Sequence, residues 1–408
     1  MIEPMIRFPE FKDSWINYKI EDIFDRVGTP VALDDTQTYR EIGIRSHGKG
    51  IFHKEETTVT EIGNKRVFWI EPDCFVVNIV FAWERAVAKT TEKEKGMIAS
   101  HRFPMYKPKK DIVDLDYITE YFITKRGQNV LILASPGGAG RNKTLGQKEF
   151  AKSVVKLPSL PEQQKIAEFL STVDTVIAKQ KETVSAWEER KKGVMQKLFS
   201  QEVRFKADDG SDFPEWEEKS YLSICNVFAD GDWIESKDQS DSGIRLIQTG
   251  NIGNGIFIDK DDKKKYISKE TFDRLKCNEV FEGDILISRL PSPAGRACIV
   301  PKLNDRIITA VDCTIVRTDK SIISHDYCVQ FMQSSKHFYY VASMMAGGTR
   351  QRISRKNLED ELISVPCLEE QQKIADCLSA LDEVIEKQQA TLAAWEELKK
   401  GLQQQMFV

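Results

Sequence analysis

The chain states one long segment twice, at a fixed offset of 208 residues. Pro158-x-Leu160-x-Glu162-Gln163-Gln164-Lys165-Ile166-Ala167 returns as Pro366-x-Leu368-x-Glu370-Gln371-Gln372-Lys373-Ile374-Ala375. Ala186-Trp187-Glu188-Glu189-x-Lys191-Lys192-Gly193 returns as Ala394-Trp395-Glu396-Glu397-x-Lys399-Lys400-Gly401. From Pro158 to Phe199, 25 of 42 positions match their partners. A duplication of this length is the first thing any fold must accommodate, because repeated units bury their apolar faces against one another.

Each copy carries a heptad. Steps of four and three pass through Ile166, Leu170, Val173, Ile177, Gln180, Val184, Trp187 and Lys191 in the first, and Ile374, Leu378, Leu381, Ile385, Gln388, Leu392, Trp395 and Lys399 in the second. Alternating steps of three and four describe a coiled-coil seam. Pro161 suits a first helical turn, and Glu162, Glu369 and Glu370 lie where a helix dipole favours negative charge. The pattern predicts two helices of nearly 40 residues, each roughly 55 Å long at ~1.5 Å per residue. The only matching seam in the chain is the other copy, so the two should pack on each other. Gln180, Gln388, Lys191 and Lys399 interrupt the seams at matching points, as polar residues do when they fix register.

The flanking segments are related more weakly. Arg40-Glu41-Ile42 through Phe52 aligns with Arg245-Leu246-Ile247 through Phe257, and Phe8-Pro9-Glu10-Phe11 is echoed by Phe213-Pro214-Glu215-Trp216. Glu71-x-Asp73 with Arg85-Ala86 matches Glu282-x-Asp284 with Arg296-Ala297. The order is therefore globule, long helix, globule, long helix. Within the globules, Phe75-Val76-Val77, Val130-Leu131-Ile132-Leu133, Ile285-Leu286-Ile287 and Cys313-Thr314-Ile315-Val316 read as strands. Tyr117 to Lys125 and Tyr327 to Met332 read as helices, with Ser324 as a cap. At about 160 residues, each globule can bury its own core.

Chemistry is sparse. Gly137 to Thr144 has Asn142 where a phosphate loop needs glycine, and no nucleophile elbow, His-Glu-x-x-His pair or amino-methyltransferase motif occurs. Asp73 and Asp284 read as turn formers. Eight cysteines without a Cys-x-x-Cys pair, and five histidines without ligand spacing, point to reduced structural thiols rather than zinc or disulfides. The longest apolar run is too short for a bilayer, and no basic-then-apolar signal pattern opens the chain, which predicts a cytoplasmic protein.

A net charge of −4 does not exclude nucleic acid, because phosphate contact needs only a local basic surface. Thr349-Arg350-Gln351-Arg352-Ile353-Ser354-Arg355-Lys356 holds four positive charges and no acid, after Gly347-Gly348. At the same offset, Arg141-Asn142-Lys143-Thr144-Leu145-Gly146-Gln147-Lys148 holds three. Glycine-led loops of this composition can approach DNA and carry the side chains that read base edges.

These features together resemble the specificity subunit of type I restriction-modification enzymes, across essentially the whole chain. The Leu-Pro-x-Leu-Pro-Glu-Gln-Gln-Lys-Ile-Ala opening of the helix, its Trp-Glu-Glu-x-Lys-Lys close and the Phe-Pro-Glu-Trp start of the second globule carry the resemblance. It implies an α+β chain in which two mixed α/β target-recognition domains, 1–157 and 200–365, are joined by spacer helices at 158–199 and 366–408. The helices would form an antiparallel coiled coil with a pseudo-two-fold axis. Each globule would read one half of a split DNA target. The helices would act as a ruler, roughly 50 Å or about 15 base pairs long, and dock two methyltransferase subunits, which two restriction subunits join. S-adenosylmethionine, magnesium and ATP would belong to those partners, and this chain would not be an enzyme. Candidate DNA contacts are Arg350, Gln351 and Arg352 in the second globule and Arg141, Asn142 and Lys143 in the first. Arg45, His47, Lys49, Arg85, Arg245, Thr249, Asn251, Asn254, Arg289 and Arg296 join them from the segments around the aligned stretches. The competing reading is a coiled-coil scaffold that does not touch DNA.

Overall fold

The structure, a computed structural model, describes residues 4–137, 143–260, 263–348 and 351–407. Helices run over Leu160–Phe199 and Leu368–Met406, the two repeated segments. By its contacts the chain divides into two units, Met1–Lys181 with Ala390–Val408, and Glu182–Gln389. Each long helix thus gives one stretch to each unit.

Within the first unit, an antiparallel sheet orders Phe24–Val27, Met105–Pro108, Phe75–Val77 and Val87–Lys89. A second sheet is centred on Thr38–Ile44 and Ile98–Ser100, which pair in parallel, with Ile51–Thr58 outside the former and Val67–Trp69 outside the latter. The second unit repeats this plan. Cys225–Asp230, Cys313–Thr318, Ile285–Ser288 and Ala297–Ile299 take the same order, and Ile244–Ile247 pairs in parallel with Ile307–Thr309. Only the outermost strand of the larger sheet changes sides: Thr29–Pro30 pairs with Val67–Trp69 in one unit, and Gln239–Ser240 with Lys265–Ile267 in the other. The globules have diverged in sequence while keeping one topology.

One expected strand is a helix. Val130–Leu133 ends the helix Lys125–Leu133, which Thr124 caps by accepting from the Gly127 N–H. Leu131 is buried while Leu133 is 83% exposed, the one-sided pattern of a helix, and four aliphatic residues alone fit either structure. The stretch expected as one helix from Tyr117 to Lys125 breaks at Thr124, after Leu115–Ile123. Gly127 permits this close turn, since a Cβ there would meet the Tyr121 carbonyl oxygen at 2.2 Å.

The long helices pair antiparallel inside each unit. In the first, Ile166, Ala167 and Leu170 share a core with Met406, Phe407 and Tyr117. In the second, Met195, Leu198 and Phe199 share one with Ile374, Ala375 and Leu378. The start of one helix therefore meets the end of the other, twice. Ion pairs follow the same register. Lys399 reaches Asp174 at 2.7 Å in the first unit and Lys191 reaches Asp382 at 2.6 Å in the second, two contacts that the repeat interconverts. Lys181–Glu396 and Gln389–Glu188 form a second such couple. The seam is uneven. Val173, Ile177 and Val184 are buried, whereas Leu381, Ile385, Leu392 and both tryptophans, Trp187 and Trp395, are only half-buried.

The repeated Glu-Gln-Gln-Lys explains itself here. Glu162 is buried and takes a two-pronged bond from Arg7, at 2.7 and 2.8 Å, as Glu370 does from Arg204, at 3.1 and 2.8 Å. Gln163 accepts from Asp114 N–H and donates to the carbonyls of Ile112 and Pro158. Gln371 does the same with Ser324, Ile322 and Pro366. Lys165 pairs with Glu10 and lies over Phe8, and Lys373 pairs with Asp208 and lies over Phe213. These glutamates do more than complement a helix dipole: each latches its helix to its globule through a fully satisfied buried network.

Candidate nucleic-acid interface

In the first unit, three of the sequence candidates gather on one hairpin. Arg45, His47 and Lys49 are exposed on the turn between Thr38–Ile44 and Ile51–Thr58. Arg45 lies 4.8 Å from the centre of the Phe52 ring, and His47 takes the left-handed conformation at φ 64°. The turn is braced from behind: the His47 N–H donates to the Glu84 carbonyl at 2.7 Å and Gly48 N–H to that of Arg85 at 2.9 Å. Gly48 must be glycine, with φ 67° and Ile123 2.8 Å from where its Cβ would stand. Arg85 is half-buried and donates to the Ile123 carbonyl, so it supports the turn while the other three face outward. Lys143 sits half-buried 5.9 Å from the Trp83 ring. Arg141 and Asn142 lie outside the described residues.

The second unit corrects several expectations. Arg245, in Ile244–Ile247, is 2% exposed and paired with Asp259. Arg296 donates to four carbonyls, those of Ile252, Leu290, Pro293 and Thr249, at 2.7 to 2.9 Å. Arg289 is buried, donates to Val311 at 2.6 Å and lies 3.4 Å from Asp230. Asn251 is buried, donating to the Ile258 carbonyl and accepting from Gln248 N–H. Arg245, Arg289, Arg296 and Asn251 are therefore internal braces rather than DNA contacts, because each is anchored to groups within the fold. Thr249 is half-buried, and Asn254 is exposed on the turn that Gly253 closes onto Ile256.

Gln351 and Arg352 remain exposed, and Arg350 lies outside the described residues. The backbone of Arg352 pairs both ways with Ala346, at 3.1 and 2.9 Å, and the Ile353 N–H donates to the Arg289 carbonyl at 3.2 Å. The loop is thus tied to the end of the strand Ile285–Ser288. Both side chains line a groove of about 750 Å³ with Trp233, Leu290, Pro291 and Asp312, and Arg352 stands 3.7 Å from Asp312. Trp233 was not legible as a site residue. The signal available was its place directly after Asp230-Gly231-Asp232, where the strand Cys225–Asp230 ends.

Among the described residues, no group of His, Cys, Asp and Glu is placed to hold a metal ion. The cysteines are free thiols, and burial pushes Cys298 and Cys313 up to about 12. Asp73 turns the chain at φ 55°, whereas Asp284 combines a turn with a buried two-pronged pair to Arg317, at 2.8 and 2.7 Å. No helix of the described residues is long and apolar enough to cross a membrane.

Comparison with known proteins fits this arrangement. A specificity subunit of the type I restriction enzyme MjaVIII from Methanocaldococcus jannaschii is 24% identical over 356 residues, 84% of this chain and 80% of that protein. The putative MjaX specificity subunit of the same organism is 22% identical over 398 residues, 93% and 86% of the two chains. The fold is shared with the S subunit of a type I restriction-modification system from M. genitalium, at a TM-score of 0.53, 15% identity and coverage of 100% and 99%. A chain from a structure describing complex assembly and conformational transition of the type I R-M system aligns with a TM-score of 0.59, 16% identity and 98% of both chains. The profile of the type I restriction modification DNA specificity domain matches residues 13–185 and again 214–394, so the chain belongs to that family and carries its domain twice.

Proposed function

We propose that this chain acts without catalysis of its own, as the subunit that gives a type I methyltransferase and endonuclease its DNA address. The two globules, 1–157 and 200–365, each take one half of a bipartite target, and the helices set the spacing between the halves. The observation that carries this reading is the pair of specificity domains, each with its own sheets and its own exposed polar loop, latched alike to an antiparallel helix pair. A plain scaffold has no need for two divergent loop systems on one topology.

The contacts proposed for the first half-site are Arg45, His47, Lys49 and Lys143, and for the second Gln351, Arg352 and Asn254. Two methyltransferase subunits dock on the helix pair and two restriction subunits join them, in the cytoplasm. S-adenosylmethionine, magnesium and ATP bind to those partners. The test is to map methylated sites in DNA from cells that express this chain with its methyltransferase, and to titrate DNA binding with salt. A split motif and a steep salt slope support the reading. Binding that ignores both sequence and salt would leave a scaffold.

A further inference from the structure

The groove beside Gln351 has an apolar side that no part of the reading above uses. Trp233 is 68% exposed, unusual for so large an apolar side chain, and its indole N–H is turned to Glu235 at 3.4 Å. What it offers the groove is ring surface. Next to it stands the exposed segment Pro291 to Pro293, which is braced by Arg296 and His337. Arg296 grips the carbonyls of Leu290 and Pro293, at 2.9 and 2.8 Å. His337, fully buried between Glu361 and the Gly295 carbonyl, at 2.9 Å from each, fixes the far end. A carbon surface braced in this way cannot bond phosphate. On a base-pair edge, the feature that such a surface discriminates is the 5-methyl group of thymine.

We propose that Trp233, with Pro291 beside it, reads the methyl group of a thymine in the half-site taken by the second globule. The inference rests on the DNA-specificity reading and adds a base class to it. Gln351, exposed in the same groove, supplies the amide that suits an adenine edge, so one groove holds complements to both members of an A·T pair.

The experiment uses the full-length chain bound to its methyltransferase subunits and duplexes carrying the mapped motif. Each thymine is replaced in turn by deoxyuridine, which removes only the methyl group. One replacement, in the half-site whose recognition Arg352→Ala relaxes, should lower affinity about fourfold, the worth of one buried methyl. Trp233→Ala should lose a similar factor on the natural duplex and become indifferent to that replacement, with its salt slope unchanged. Uracil tolerated at every position, a half-site without thymine, or a Trp233→Ala variant weakened equally on all duplexes would each overturn the proposal. The wild-type preference for the motif over a scrambled duplex separates the two levels. If that preference holds while the uracil series is flat, only the role of Trp233 falls; if the preference is absent, the DNA-specificity reading falls with it.

Discussion

Arginine has five donors in a rigid fork, and how many are engaged inside the fold separates a brace from a probe. Arg296 gives its donors to four carbonyls, and burial pulls it below the ordinary arginine value, whereas Arg352 makes one long ion pair and faces outward. Arg296→Met should therefore leave carbonyls unpaired and destabilise the second unit by about 2–4 kcal/mol, read as a lower urea midpoint. Arg352→Ala should move that midpoint by less than about 0.5 kcal/mol while weakening cognate DNA binding by about 1–3 kcal/mol if the guanidinium reads guanine. A pH effect follows from Arg245, whose guanidinium holds the Asp259 carboxyl below the usual carboxylate range. A depressed folded value means that the pair stabilises above the unfolded carboxylate range, near ~4, and fades as acid titrates through the lower folded value. Arg245→Met should lower stability at neutral pH and flatten the acid limb of the stability curve. An unchanged limb in acid denaturation would show that Asp259 contributes nothing. None of this was legible in sequence, because a strand arginine such as Arg245 and a loop arginine such as Arg352 differ in burial, not in pattern.

At the scale of elements, the two helices were the most readable part of the chain, since eight heptad positions in each copy agree on one period. That they pair with each other followed from having no other partner, and the antiparallel direction from the family resemblance. Periodicity did not reveal which seam residues would be polar by design. Lys191 and Lys399 looked like interruptions, but each meets an aspartate of the opposite helix at the repeat-related place. Lys191→Asp should set two carboxylates against each other and cost about 1–2 kcal/mol, limited by the partial exposure of Asp382. The exchange Lys191→Asp with Asp382→Lys should recover most of that loss. A double-mutant cycle in urea reads the coupling, and additive losses would show that the pair does not fix the register. The short run Val130–Leu133 was misread for the opposite reason: four residues are too few to reveal a period, and the Thr124 cap that makes them helical lies six residues upstream.

For the whole molecule, the proposed ruler can be lengthened. One heptad inserted after Gln180 and one after Gln388 keep both seams in phase and add about 10 Å, roughly three base pairs of unread DNA. The methylated motif should keep both half-sites with a longer spacer. Binding both halves then requires DNA twisting, since three base pairs turn the far half by about 100° on a helix of ~10.5 base pairs per turn. Full methylation at the original spacing would mean that the helices do not measure DNA. The duplication and the order of globules and helices were plain in the sequence, while the sheet order was not, because strands that pair across the globule leave no periodic trace. The glutamine latch carries a last consequence, for inheritance. Toward its globule, Gln163 holds only the Asp114 N–H and the Ile112 carbonyl, and Gln371 holds only those of Ser324 and Ile322. Every amino acid but proline supplies both groups, so the glutamine side of the socket makes no demand on the globule's side chains, and a foreign globule need only keep the arginine that Glu162 or Glu370 takes. Mutation or recombination can rewrite what is read, gene by gene, without renegotiating the joint that holds it.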